Sequence, residues 1–265
     1  MKLHSLIRKL ARILGIERFY AWILEREVRE GNIPEHVAVI MDGNRRWASE
    51  RGLPKHEGYY YGANKVEELL KWSRDLGIKT LTLYALSLEN LRRPKEELET
   101  IFKVMEEKAD MLIDKEILRE EGIRFKVIGD TSLLPKSLRE KLKALEDSTK
   151  NCSSGFLNLA ISYSGRREIV EAVKRIAALV KEGKMSPEEV NERVVEENLF
   201  TSHLRKSDPD LIIRTSGEFR ISGFLLWQSA YSEFVFMDVY WPDFRKIDFL
   251  RAIRTYQKRD RRFGL

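Results

Sequence analysis

A single cysteine, Cys152, occurs in 265 residues, so the chain can close no internal disulfide and build no multi-cysteine metal site. Long apolar runs are missing too. The longest reach about five residues, at Val37 to Met41 and Ile176 to Val180, whereas a membrane-spanning helix needs roughly 18–20. No charged-then-apolar leader with a small-residue cleavage site opens the sequence, and the cytoplasm is the expected compartment. Neither a Walker A string nor a G-x-G-x-x-G fingerprint is present, so nucleotide and dinucleotide sites lack their usual signature. No repeat, low-complexity tract or Pro/Gly/Ser linker divides the chain.

What is present suits an enzyme-sized globular protein: 43% hydrophobic and 34% charged residues, with a net charge of +6. The distribution of that charge matters more than its sum. Residues 1–30 carry +3 and residues 245–265 carry +6, which leaves 31–244 at −3. A duplex-binding domain would be basic in its body, so nucleic acid is not an expected partner. Near the start, Leu3, Leu6, Ile7, Leu10, Ile13 and Leu14 recur at helical spacing among Lys2, Arg8, Lys9 and Arg12. Such an amphipathic basic helix either packs on the core or lies on an anionic membrane surface as a peripheral contact. Residues 1–31 are accordingly read as a helical extension, and 32–265 as one catalytic domain.

From Asn32 onward, short β-branched or aromatic runs alternate with longer helix-period segments. The pattern predicts strands near 36–41, 79–86, 124–129, 156–162, 210–214 and 234–239. It predicts helices near 62–76, 94–121, 136–148, 165–182, 187–197 and 246–258. Pro94, Pro135 and Pro187 stand where a missing N–H costs nothing, Gly77 and Gly122 suit left-handed helix ends, and Ser186 with Glu189 has capping-box spacing. The fold class is therefore α/β, a mostly parallel sheet of about six strands covered by helices on both faces.

Parallel sheets place ligands beyond the carboxyl ends of their strands. Three polar clusters fall there. Asp42, Gly43, Asn44, Arg45, Arg46 and Trp47 follow the first strand, and could hold a diphosphate with a divalent cation or form a turn with solvated arginines. Ser87, Glu89, Asn90, Leu91 and Arg93 follow the second, in what could equally be a helix-capping loop. After the fifth, Arg214 and Arg220 flank Thr215, Ser216 and Gly217, with Ser222 behind; two guanidinium forks on a Ser/Gly-rich loop suit a phosphate, though an ion-pair loop is the alternative. Glu233, just before the last strand, is the natural second acid for a metal shared with Asp42. Between the clusters, helix 94–121 carries Leu98, Ile101, Phe102, Met105, Met111 and Leu112 at helical spacing, which is either core or the wall of an apolar tunnel.

The strings HVAVIMDGNRRWA from His36, LTLYALSLENLRRPKEE from Leu81, FKVIGD from Phe125 and DLIIRTSGEFRISGFLLWQSAYSEFVFMDVYWPDF from Asp210 resemble the cis-prenyltransferases, the undecaprenyl and dehydrodolichyl diphosphate synthases. The resemblance runs in order from about residue 32 to the C-terminus. It implies repeated condensation of isopentenyl diphosphate onto an allylic diphosphate with magnesium, in a homodimer, to give a long polyprenyl diphosphate for glycosyl-carrier lipid. Carried over by position, it makes Asp42 and Asn90 catalytic candidates and Asp42 and Glu233 metal candidates. The substrate candidates are Gly43, Asn44, Arg45, Arg46, Trp47, Lys55, Tyr59, Ser87, Glu89, Leu91, Arg93, Arg214, Arg220 and Ser222, with Arg93 and Glu97 ordering the adjoining loop and helix. Arg262, Phe263 and Gly264 fit an element that in this family reaches across a dimer.

Departures from the family pattern shape these expectations. Lys55 and Tyr59 stand where arginine and histidine are usual, and Tyr59 cannot carry the positive charge; Leu91 replaces a common tryptophan. Arg45 replaces a glycine of many bacterial members and resembles archaeal ones, which points towards a geranylgeranyl or farnesyl starter. A trans-prenyltransferase would need Asp-rich motifs, and the chain has no Asp-Asp pair. A non-catalytic subunit would typically lack the acid at Asp42, while a magnesium phosphohydrolase would share the anion loops and differ in its products.

Overall fold

The first strand's uninterrupted apolar run, Val37 to Ile40, is buried on both faces, as expected for the centre of a parallel sheet. The computed structural model describes residues 16–259; the expectations at Leu3 to Leu14 and at Arg262, Phe263 and Gly264 lie outside them. The strands are β1 (His36–Ile40), β2 (Thr80–Ser87), β3 (Ile123–Ile128), β4 (Gly155–Tyr163), β5 (Leu211–Arg214) and β6 (Glu233–Phe236). They form one six-stranded sheet in the order β3-β4-β2-β1-β5-β6, with every neighbouring pair parallel. Each predicted strand is present.

Alternation along the strands divides the core. Val37, Val39, Leu81, Leu83, Leu211 and Ile213 pack on one face; Ala38, Ile40, Tyr84 and Ile212 pack on the other with Phe224 and Leu225. A register irregularity between Tyr84 and Ser87 turns Leu86 back to the first face, while Ser87 stays paired with Tyr163 of β4.

The helices are α1 (Ile16–Glu30), α2 (Asn44–Glu50), α3 (Lys55–Asp75), α4 (Lys95–Asp114), α5 (Ile117–Glu120), α6 (Lys136–Thr149), α7 (Gly165–Lys181), α8 (Glu192–Glu197) and α9 (Lys246–Gln257). The helices differ from the sequence reading at four places. α2 was unexpected because its seven residues are too few to show a period. α3 begins seven residues before position 62, and the segment 94–121 is two helices, broken where Glu116 adopts φ 49°. The segment 187–197 is a 3-10 turn at Pro187–Glu189 followed by α8. The described part of the N-terminal extension, α1, packs onto α9: Leu24 and Val28 are fully buried, and Glu25 and Glu27 pair with Lys246 at 2.7 Å and Arg254 at 3.2 Å. Among the described residues, no helix is long and apolar enough to cross a membrane.

Chain order reverses at β1, which has β2 on one side and β5 on the other. The crevice beyond the carboxyl ends of β1 and β5 is thus the topological switch point, where open α/β sheets bind ligands. Two glycines of α3 close one side of it. A Cβ on Gly58 would lie 2.1 Å from the Asn44 carbonyl oxygen, and one on Gly62 would lie 2.3 Å from Asn44 Oδ1. The helix can cross the residues after β1 this closely only because those positions lack side chains. Gly58→Ala should therefore cost about 1–3 kcal/mol through overpacking against backbone. Urea unfolding checks this, and an unchanged midpoint would count against the close crossing.

Candidate active site

The site begins with a charge that the fold buries. Arg214 ends β5 level with Ile40 of β1, and its side chain is only 5% exposed. A buried guanidinium needs partners. It donates to Asp42 Oδ2 at 2.7 Å, to Ser222 Oγ at 2.9 Å and to the Arg220 carbonyl oxygen. Asp42 itself is fixed by its backbone: Thr215 Oγ1 donates to the Asp42 carbonyl at 2.7 Å, and the Trp241 N–H donates to the same oxygen at 3.0 Å. Burial alone would raise the Asp42 carboxyl, but hydrogen bonds from Arg214 and Ser216 and the charges of Arg214 and Arg46 outweigh it. The group is held below its ordinary value of 3.8.

Gly43 follows with φ 103°, and a Cβ there would lie 2.6 Å from the Tyr240 ring. That turn starts α2 and brings Arg46 over the third loop. Arg46 donates to Ser216 Oγ at 2.7 Å and to Glu218 at 3.1 Å, and lies 3.5 Å from Asp42 Oδ1. The third loop is strained, since Ser216, Ser222 and Leu225 are non-glycine residues at φ 80°, 51° and 44°. The hydroxyl of Tyr84, on β2, donates to the Ser222 carbonyl at 3.3 Å, and its ring stacks on Phe224 at 4.5 Å. Arg220 extends outwards and pairs with Glu218.

On the other side, Ser87 ends β2 and its Oγ accepts the Asn90 N–H at 3.1 Å. Tyr59 of α3 donates to Glu97 of α4 at 2.6 Å and accepts from Arg93 at 3.1 Å, while Arg45 lies 3.4 Å from the same carboxylate. Burial first, then the bond to Glu97, push the Tyr59 phenol above its ordinary range. Tyr59 is a neutral tether between helices, in keeping with its inability to replace a histidine's charge.

These groups ring the mouth of a cavity of about 620 Å³ that runs between the sheet and helices α3, α4 and α6. Five arginines (Arg45, Arg46, Arg93, Arg214 and Arg220) and two carboxylates (Asp42 and Glu218) line the mouth; Val66, Leu70, Ile101, Met105, Leu112 and Leu145 line the depth. The excess of cations suits an anion, and the apolar depth suits a hydrocarbon. Gly43, Asn44, Ser87, Asn90 and Ser222 also line the cavity, as expected. Of the helical stripe, Ile101, Met105, Met111 and Leu112 do so, while Phe102 packs into the core instead.

Five candidates lie elsewhere. Trp47 points into the body, where its Nε1 donates to Asp243 at 2.8 Å, because the helical turn of α2 carries it away from Asn44. Lys55, the first residue of α3, is exposed outside the cavity, as is Glu89 on the turn after β2, and Leu91 packs against the core. Glu233 starts β6 opposite Leu211 and bonds Arg259 at 2.5 Å, whereas Arg214 lies level with Phe236. Three residues of strand, about 10 Å, separate it from the site's end of the sheet, so a single chain does not bring it to Asp42. Spacing already set Glu233 just before a strand and Asp42 just after one, and in a parallel sheet those are opposite ends, so the expected shared metal site is not formed within one chain. Sequence reasoning missed Glu218, although an acid between two arginines was a usable signal. It also missed the α3 wall and Trp241, whose Nε1 donates to the Gly62 carbonyl at 2.8 Å.

Among the described residues, no three His, Cys, Asp or Glu side chains cluster to hold a metal. Magnesium that arrives on a substrate's phosphates needs only one or two carboxylates. Asp42, a carboxylate at the mouth of the cavity that is held below its ordinary value, fits that requirement.

A cation-rich mouth above an apolar cavity, at the switch point of a parallel sheet, is the arrangement of an enzyme that handles phosphorylated, hydrocarbon-tailed substrates. Residues 40–264 match the family described as "Putative undecaprenyl diphosphate synthase". The chain is 50% identical over 250 residues to a tritrans,polycis-undecaprenyl-diphosphate synthase (geranylgeranyl-diphosphate specific) of Methanocaldococcus jannaschii, covering 94% of this chain and 89% of that one. It is 51% identical over 249 residues to the protein of the same name from Methanopyrus kandleri, covering 94% and 91%. The crystal structure of lavandulyl diphosphate synthase from Lavandula x intermedia with dimethylallyl diphosphate superposes with a TM-score of 0.85 at 38% identity, covering 90% of this chain and all of that one. The chain belongs to the cis-prenyltransferase family, and it is a transferase that carries out cis-prenyl chain elongation.

The lowered Asp42 carboxyl has a consequence for stability. Its contribution is fully present above pH 3.8 and is lost as pH falls through the lowered value. Urea unfolding of the native protein and of Asp42→Asn should therefore differ by a constant amount above that pH, and the difference should close below it. A gap that ignores pH would contradict the ion pair.

Proposed function

We propose that the protein condenses isopentenyl diphosphate repeatedly onto geranylgeranyl diphosphate, giving an undecaprenyl-length or longer cis-polyprenyl diphosphate for use as a glycosyl-carrier lipid. The observation that carries this reading is the Asp42–Arg214 pair opening onto the apolar cavity. The starter follows from the relatives' printed specificity.

In this reading the allylic diphosphate lies against Gly43, Asn44 and Arg46, and the isopentenyl diphosphate against Arg214, Arg220 and Ser222. Magnesium held by Asp42 would neutralise diphosphate oxygens. As the allylic carbon–oxygen bond breaks, the arginines stabilise the charge that develops on the departing diphosphate. The new carbon–carbon bond forms towards the isopentenyl unit, and a proton then leaves that unit, with Ser87 and Asn90 near the condensing carbon and Asn90 positioning the group that takes the proton. The apolar depth excludes water from a carbon with cationic character.

Labelled isopentenyl diphosphate offered with geranyl, farnesyl or geranylgeranyl diphosphate tests the reading. Long cis products are expected, most of them from the geranylgeranyl starter. Asp42→Ala should lose at least about a hundredfold in turnover, the scale on which a single charge-stabilising group acts. Release of inorganic phosphate without carbon–carbon bond formation would refute the assignment.

A homodimer and a peripheral membrane contact belong to the same proposal. Supporting the first, β6 is an edge strand whose Phe236 lies 5.4 Å from the 80%-exposed Phe219. Supporting the second, Phe19 and Trp22 stack on the outer face of α1 at 63% and 53% exposure, with Arg26 over the Trp22 ring. Sedimentation without vesicles should give twice the chain mass, and anionic vesicles should co-sediment the protein more than neutral ones. A monomer, or equal partitioning, would remove the corresponding part.

A further inference from the structure

The apolar wall of the cavity has one charged interruption away from its mouth. Apart from the groups around the diphosphate end, the charged side chains lining it are Lys108 of α4 and Glu67 of α3. Lys108 Nζ donates to Glu67 Oε1 at 2.5 Å and to Asn64 Oδ1 at 2.6 Å. The contact therefore joins α3 to α4. Glu67 is eight residues beyond Tyr59 along α3, and Lys108 eleven beyond Glu97 along α4, which sets the pair roughly 12–16 Å of helix rise below the tether at the mouth.

The pair stands in the side of the tunnel rather than at its end. Met105 and Leu112 flank Lys108 on the same helical face, and Val66 and Leu70 flank Glu67; all four line the cavity, which reaches past the pair to Leu112 and Leu145. Both charged side chains also meet solvent, at 26% and 38% exposure, and Asn64 is exposed. At this level the seam between α3 and α4 is closed by side chains that border the cavity on one side and water on the other.

A half-exposed ion pair opens at little cost, because water solvates the separated charges. Parting the apolar seam above and below it would instead expose hydrocarbon surface. The weakest part of the tunnel wall is thus a window rather than the floor. We propose that Lys108, Glu67 and Asn64 form a lateral latch through which the distal end of a long product leaves the tunnel, so that the latch governs how far elongation proceeds. The proposal rests on the chain-elongation reading above.

Product length tests it, measured with geranylgeranyl diphosphate as starter and alongside a melting curve for each variant. Lys108→Ala and Glu67→Ala remove the bar and should shift the product distribution to longer chains by at least one isoprene unit. Lys108→Met combined with Glu67→Leu seals the seam with apolar side chains and should shift it to shorter ones. The reversed pair, Lys108→Glu with Glu67→Lys, should return it to the native distribution. Opposite shifts in opened and sealed proteins support the latch. The native distribution in both, or a lowered melting temperature with no change in length, overturns it and leaves the pair a helix-to-helix tie. Should an opened variant fail to fold, the sealed and reversed proteins decide alone. Absence of any elongation by the native protein is a different result, and it would remove the functional reading itself.

Discussion

Arg214 carries a full positive charge at the end of a strand that the sheet buries on both sides. Such a group needs partners, and the surroundings supply them to its two terminal nitrogens, while among the described residues Nε is buried without a hydrogen-bond partner. Asp42 supplies the opposite charge from the neighbouring strand, Ser222 a hydroxyl and Arg220 a carbonyl. The strained backbone at Ser216 and Ser222 is the conformation that turns the third loop back over the guanidinium. Tyr84 braces that loop from the second strand. The Asp42–Arg214 pair thus ties together the ends of β1 and β5 where the chain order reverses, and the opening of the cavity follows from it.

The two sheet faces then serve different purposes. One is closed by Tyr84, Tyr163, Phe224 and Leu225 into a solid aromatic core. The other is held open, because α3 and α4 stand away from the strands and are tied at the mouth by Tyr59, Glu97 and Arg93. Close crossing of α3 over Asn44, permitted by Gly58 and Gly62, sets the height of one wall. Hydrocarbon binding therefore depends on helix placement as much as on which residues are apolar.

Much of this was legible in the residues. Buried parallel strands are short β-branched runs, so all six were visible, and Gly77 and Gly122 marked helix ends at φ 79° and 68°. Asp42, Asn44, Arg46, Ser87, Asn90, Arg93, Arg214, Arg220 and Ser222 were recognisable because polar residues that follow such strands fall at one edge of the sheet. Other features left no such trace. α2 is too short to show a period, so Trp47 was grouped with the site although its helical turn faces it inwards. Glu218 stands between Arg214 and Arg220 in sequence, but its partner Arg46 comes from α2, 172 positions away.

By itself the sequence determined the elements, the chemistry of the loops and the family, because these depend on local patterning and on strings that persist in order along the chain. Tertiary structure decided which of those groups meet. The packing angle of two helices makes a cavity out of residues that could have been core, and Lys108 reaches Glu67 across 41 positions of sequence. Periodicity records which face a residue occupies. It does not record what approaches from a distant part of the chain.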